Sequence, residues 1–533
     1  MESQENCELD AAEAYTLIKN LQSLKSSERD ASIRRLPELS KLLGTDRTII
    51  ELIPYIVNSS VLPLDSLASA IRYFSEFPLD GFTEAHLLAF FETSGQLVDI
   101  DSDAVRQELM RFFDYIFSLL DKEVVTKFVK ENILEYYQND WPTVVLTGIY
   151  ITNAAFTHLT NSGQKMVLNA FFSSFSDPKS PIIQRYIADA CEGFIFASDD
   201  DRIFEFVLKL TKIDSPTIAY DIPHFIGTYL EKEESNLSKV EPIMIGLLKS
   251  PNWRIRCNFF LNLEEIDSIS QLPLDLLLDL FHLGLKDEDE EVRIAVAQCI
   301  LLLPPNNDES ITIIKTLLSD PSPHVRTASI DSISRDSDGK LLNEYLSIML
   351  DDKVREVRAA ALDSLNEADI SEHDITSLLI SFLDKPHEWR EKEMVANIFI
   401  NKDLSSVKLL KKLIFDEASI VRNSIILKLP YLTQIGEAEL IPIINEASKH
   451  YDYQIRQAAV FIIIVMAFFQ GKGLEILERL AHDEVSNVRL SVAIYTPRSL
   501  SIVSQLAGDE DEDVRDFAID KCLEINQIVN KFN

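Results

Sequence analysis

In the second half of the chain apolar residues recur at helical spacing, as in Val292, Val296, Ile300 and Leu303, or Val357, Ala361 and Leu365. That spacing puts them on one face of a helix. A second apolar helix precedes each of these, at residues 341–350, 378–383, 407–415 and 474–480. The two are joined by a polar turn with a repeating frame: Asp, four mostly polar residues, Val, Arg. Residues 287–293, 320–326, 352–358, 416–422, 483–489 and 509–515 carry it, and looser copies end at Ile255-Arg256, Trp389-Arg390 and Ile455-Arg456. From Arg256 the arginines fall at 293, 326, 358, 390, 422, 456 and 489, in steps of 37, 33, 32, 32, 32, 34 and 33.

Such a period predicts a solenoid in which each unit is helix A, a turn carrying Asp, and helix B opening with Val-Arg. Neither helix can cover its apolar face alone, so neighbouring units must stack. The recurrent Asp can accept backbone N–H groups or meet an Arg of its own or the next unit, and a ladder of such pairs would fix the register. The first half keeps the period but blurs the frame: Asp30 precedes Ile33-Arg34, Asp101 precedes Val105-Arg106, and Asp177 precedes Ile183-Gln184-Arg185. Each gap between these arginines holds two units, with hidden turns expected near Leu64, Asp140-Trp141 and Asp214. The count comes to fifteen. The last step, Arg489 to Arg515, is only 26 residues, so a helix around Thr496-Pro497 must be shortened.

Composition narrows the function. Gly is scarce, 14 in 533 residues, which disfavours the many tight turns of an all-β protein. A net charge of -35 repels phosphate backbones and anionic head groups, so neither nucleic acid nor a membrane surface is an expected partner. The longest apolar run, residues 458–469, is too short to span a bilayer. Five scattered cysteines without a C-x-x-C pair read as reduced thiols, and the acidic start lacks the basic region of a signal peptide. Gly471-Lys472-Gly473 lacks the rest of a phosphate loop, and residues 509–513 place acids as in a calcium loop but have Val514 where its Gly belongs. His387-Glu388 is the only His-Glu dipeptide, whereas helical-repeat hydroxylases build a di-iron site from several. No cofactor, metal or catalytic residue is expected. All three tryptophans, Trp141, Trp253 and Trp389, fall at or beside A-to-B turns, where they either pack on the next unit or anchor a partner.

The repeat is similar to the HEAT motif, and the chain from about residue 10 to 530 resembles the scaffold (A, regulatory) subunits of protein phosphatase 2A. The residues that carry this are 44–54, Ser176-Asp177 with Pro181 and Arg185, residues 252–256 and residues 486–489, together with the count of fifteen. The resemblance implies an all-α HEAT-repeat solenoid over 1–533, a curved superhelical arch that is a non-catalytic scaffold in the cytoplasm, with the nucleus open as a second site. Repeats 1–8, residues 10–304, would take an exchangeable regulatory B-type subunit through Asp177, Pro181, Arg185, Trp253, Arg254 and Arg256. Repeats 11–15, residues 370–533, would take the phosphatase catalytic subunit through His387, Glu388, Trp389, Arg390, Ser419, Arg422, Tyr453, Arg456, Asn487 and Arg489. Two departures stand out: the turn of repeat 11 reads His387-Glu388 where the family has Trp-Arg, which leaves Trp389 at the Val of the frame, and Gln184 replaces the first Arg of a pair. The rival readings are an acidic HEAT adaptor or nuclear transport receptor, and a metal-dependent helical-repeat hydroxylase.

Overall fold

The computed structural model describes residues 9–532 except 58–61, 99–101, 177–179, 233–235, 265, 267–271, 336–339, 369 and 498–500. Among the described residues there are helices and turns and no strand. Among the described residues fifteen A/B pairs follow one another in sequence, and the chain divides into two compact bodies, Met1–Gly284 and Leu285–Asn533. Hidden turns appear where the period places them, ahead of the B helices Leu64–Arg72, Pro142–Ala155 and Pro216–Ala219. In unit 15 the A helix shrinks to Ser501–Leu506.

The second body shows why the frame repeats. Each B helix begins three residues before its Arg, so Val is the third helical residue and Arg the fourth, as in Glu290–Gln298, Pro323–Ile333 and Ser486–Tyr495. Val292, Val325, Val357, Val421, Val488 and Val514 are all fully buried between stacked units. The frame Asp lies six residues before the Arg of its own unit. Its carboxylate accepts the N–H two residues on, at 2.8 Å in both Asp320 and Asp352, and its carbonyl accepts its own unit's Arg, at 2.7 Å from Arg326 and 2.8 Å from Arg358. The same carboxylate then receives the Arg of the preceding unit: Arg293–Asp320 and Arg326–Asp352 at 2.7 Å, Arg456–Asp483 at 2.7 Å, Arg489–Asp509 at 2.8 Å. One residue thus shapes its turn and ties two turns together. At the other end of the B helices, basic side chains cap the carbonyls of the preceding unit: Arg335 bonds Gln298 O at 3.0 Å, and Lys521 bonds Ala493 O, Ile494 O and Thr496 O.

Unit 11 builds its rung differently. Its B helix is Trp389–Asn401, so the third and fourth helical positions are Glu391 and Lys392, not Trp389 and Arg390. Trp389 therefore does not occupy the Val position, and Trp389-Arg390 is a Trp-Arg pair at the first two positions of the helix. The frame is displaced because two extra turn residues separate Asp384 from the helix. Glu391, only 1% exposed, supplies the missing carboxylate: it accepts Arg358 Nε at 2.7 Å and the N–H of Glu388 at 3.3 Å. Lys392 continues the ladder to Asp416 at 2.9 Å.

The first body relies on rings more than rungs. Its fourth helical positions are Arg29, Leu67, Arg106, Val145, Gln184 and Ala219 before Arg256. Arg34, the arginine of the first frame, instead closes the helix Ser26–Ile33, and Arg29 takes its place by bonding Ser23 O at 2.8 Å and reaching Ser66 Oγ at 3.4 Å. Gln184 accepts the Ser215 hydroxyl at 2.8 Å, a neutral rung. Edge-to-face aromatic contacts fill the units instead, as in Phe74–Phe112, Phe90–Phe112, Phe171–Phe194 and Phe204–Tyr229.

Candidate functional site: the ridge of A-to-B turns

The rungs hold successive turns in register, and the first two residues of each B helix stand at their outer edge. In unit 11 these are Trp389 and Arg390, with the ring 39% exposed and the guanidinium 4.8 Å from its centroid. Unit 12 contributes Ser419 and Ile420, unit 13 Tyr453 and Gln454, and unit 14 Ser486 and Asn487. Ser419, Ile420, Tyr453 and Asn487 are exposed, and Tyr451 in the turn before Tyr453 is 91% exposed. In the first body Trp253 and Arg254 occupy the same two positions of helix Trp253–Leu261, with the guanidinium 4.5 Å from the ring centroid. Trp141, directly before Pro142–Ala155, is 72% exposed. A pair of Trp and stacked Arg is a large, stiff, half-apolar projection of the kind that anchors protein interfaces.

Other predicted contacts lie inside. Arg256, Arg422, Arg456 and Arg489 are buried, because the fourth helical position points back across the turn to a carbonyl six residues earlier. They are rungs that set the ridge, and none of the four stands exposed on it. His387, half-buried as a residue, turns its side chain inward: the ring lies flat on Phe382, centroids 3.7 Å apart, and neither ring nitrogen has a hydrogen-bond partner among the described residues. Burial holds its pKa below the usual imidazole value. Glu388 is exposed and opens the helix. Asp177 lies outside the described residues, and Pro181 is the first residue of helix Pro181–Ala197. Tyr451, Ile420 and Gln454 were missed from the sequence. The offset of three and two residues before each fourth-position Arg would have found Ile420 and Gln454.

Arg185, one residue past the rung position, turns into a cleft of about 290 Å³ with Arg111, Tyr150, Tyr186, Asp189 and Asp221, and its guanidinium sits 5.5 Å from the Tyr186 centroid. Burial, with Asp189 nearby, pushes the Asp221 carboxyl up to about 6, against the opposing pull of Arg185 and His224. An acid raised in the folded state costs stability above that pKa and nothing below its unfolded value. Asp221→Asn is therefore expected to raise the melting temperature at pH 7.5, with the gain shrinking through pH 6 and gone near pH 4. A gain independent of pH would refute the assignment.

Among the described residues no group of three or more His, Cys, Asp or Glu side chains is placed to hold a metal ion, and no helix is long and apolar enough to cross a membrane. Cys191 and Cys299 are buried, Cys257 and Cys522 half-buried. Residues 471–473 open the helix Gly471–Leu480, with Gly471 at φ 53°, as an inter-unit turn.

Comparison with known proteins places this ridge in context. A model of HEAT repeats matches residues 274–366, which are units 8 to 10 and include the Arg293–Asp320 and Arg326–Asp352 rungs. The type-A regulatory subunit of protein phosphatase PP2A from Schizosaccharomyces pombe is 23% identical over 250 residues, 45% of this chain and 42% of that protein. Among solved structures, Kap121p bound to RanGTP is 12% identical, with a TM-score of 0.43 over 95% of this chain and 58% of that one. A Kap121p mutant is 14% identical, with a TM-score of 0.41 over 93% of this chain and 57% of that one. The chain thus spans under three fifths of the karyopherin chains and under half of the phosphatase subunit. Stacked helix pairs, a buried Val and an Arg in each regular turn, and the match over units 8 to 10 agree on one conclusion: the chain is an all-helical solenoid that carries HEAT repeats.

Proposed function

We propose that the chain is a non-catalytic scaffold of a protein phosphatase 2A-type serine/threonine phosphatase, working in the cytoplasm and open to the nucleus. The observation that carries this reading is the Trp389-Arg390 pair at the head of the unit 11 B helix, on the same ridge as Tyr453 and Asn487. The partial likeness to a phosphatase regulatory subunit supports it. In this reading units 11 to 15 hold the catalytic subunit, and the first body holds a regulatory subunit through Arg185, Trp253 and Arg254. Holding both on one chain raises their effective concentration and fixes their orientation. The second reading, a nuclear transport receptor, draws on the net charge of -35.

Capture from native extract with the full chain, followed by mass spectrometry, separates the two. A phosphatase catalytic subunit with a regulatory subunit is the expected result. A small GTPase with transport cargo, and no phosphatase, would contradict it. Within the complex, Trp253→Ala or Arg185→Glu should weaken regulatory-subunit capture by about tenfold or more while the catalytic subunit stays bound. Loss of both partners together would refute two separable surfaces.

A further inference from the structure

One rung of the second body lacks its carboxylate. The residue six before Arg456, where Asp stands in the neighbouring units, is His450. His450 keeps the turn, since its Nδ1 accepts the N–H of Asp452 at 3.2 Å, but it brings no negative charge to the preceding Arg. That arginine is Arg422, 4% exposed. Its Nη1 donates to Asp416 O at 2.7 Å and Glu417 O at 2.9 Å, and its Nη2 to Gln454 Oε1 at 3.0 Å. The Nε group, which meets a carboxylate in the Arg293, Arg326, Arg358, Arg456 and Arg489 rungs, has no acceptor among the described residues. Of the acids nearby, Asp416 is committed to Lys392 at 2.9 Å and to the N–H of Ala418, and Asp452 to the N–H of Gln454. A cleft of about 180 Å³ opens beside the guanidinium, lined by Ser419, Asn423, Gln454 and Gln457, with Ala458 and Phe461 as its apolar part.

We propose that this cleft accepts a carboxylate carried by the protein docked on the ridge, an aspartate or glutamate side chain that completes the rung left empty by His450. A buried guanidinium with an uncommitted Nε, flanked by amides and a hydroxyl, is built for such a group, and the adjoining rungs show the fit in the same backbone frame. The electrostatics agree. Burial pulls Arg422 below the usual guanidinium pKa, whereas the carboxylate partners of Arg456 and Arg489 raise theirs. The site lies between Ser419 and Tyr453, inside the ridge assigned above to the phosphatase catalytic subunit. Only the identity of that partner rests on the scaffold reading.

The test begins on the full chain alone, with acetate replacing chloride at constant ionic strength. The Nε–Hε resonance of Arg422, assigned with Arg422→Lys, should shift and saturate. In His450→Asp the rung is filled internally, so the resonance should be insensitive to acetate and the melting temperature higher than the parent's. An Arg422 resonance that ignores acetate in the parent, or a His450→Asp variant no more stable than the parent, would overturn the proposal whatever the partner. Affinity for the catalytic subunit should then fall at least tenfold in His450→Asp and stay unchanged in His450→Asn. Unchanged affinity in His450→Asp would overturn the docked carboxylate. An acetate response without any binding of the catalytic subunit would refute the scaffold reading and leave the carboxylate site supported.

Discussion

Replacing Glu391 by alanine is expected to destabilise the second body by about 3 to 5 kcal/mol, the range for breaking a buried ion pair by removing one partner. The Glu391 carboxylate is almost wholly buried and ties Arg358 of unit 10 to the start of the unit 11 B helix. Without it the Arg358 guanidinium, itself largely buried, keeps the Asp352 and Lys353 carbonyls but loses its countercharge. The Glu388 N–H loses its acceptor as well. Glu391→Gln has a single amide oxygen, so it keeps an acceptor at only one of these two places and turns an NH2 donor toward the other; it should cost less than Glu391→Ala without being neutral. Because long repeat arrays lose cooperativity, hydrogen exchange of units 10 to 12 is the proper readout beside thermal melting. Protection in Glu391→Ala equal to the parent's would show that the rung does not carry stability there.

The largest effect on binding is expected at Trp389. In the scaffold reading, truncating this half-exposed ring to alanine should cost about 2 kcal/mol or more in affinity for the phosphatase catalytic subunit, roughly thirtyfold. The melting temperature should hardly move, because the ring stands outside the core formed by Val395, Ala396 and Phe399 of its own helix. A large loss of thermal stability with unchanged affinity per folded molecule would make the tryptophan structural instead.

Much of this was legible in the sequence because the frame encodes a local geometry. Asp, Val and Arg at fixed offsets give an Asx turn, a buried third position and a fourth-position donor, so the helix pairs, the hidden turns at Leu64, Trp141 and Asp214, and the shortened unit 15 could be placed. The same cue misled where a residue type and its helical position part company. In unit 11 two extra turn residues moved the helix start, so Trp389-Arg390 mimics the Val-Arg pair although Glu391 and Lys392 fill those places. In unit 1 Ile33-Arg34 mimics it at a helix end. The family resemblance also implies partner contacts for Arg256, Arg422, Arg456 and Arg489, yet all four are buried and recur because the fold ties its turns with them. The Asp–Arg ladder was expected from the frame, but the sequence left open whether each Asp meets the Arg of its own unit or of a neighbour; its carbonyl takes the first and its carboxylate the second.

The direct test of the account is the binding of purified phosphatase catalytic subunit to the full-length chain, titrated side by side for the parent, Trp389→Ala and Trp253→Ala. The account predicts a saturable one-to-one complex, weakened about thirtyfold by Trp389→Ala and unaffected by Trp253→Ala. Absence of a complex with the parent chain, or equal weakening by both substitutions, would contradict it.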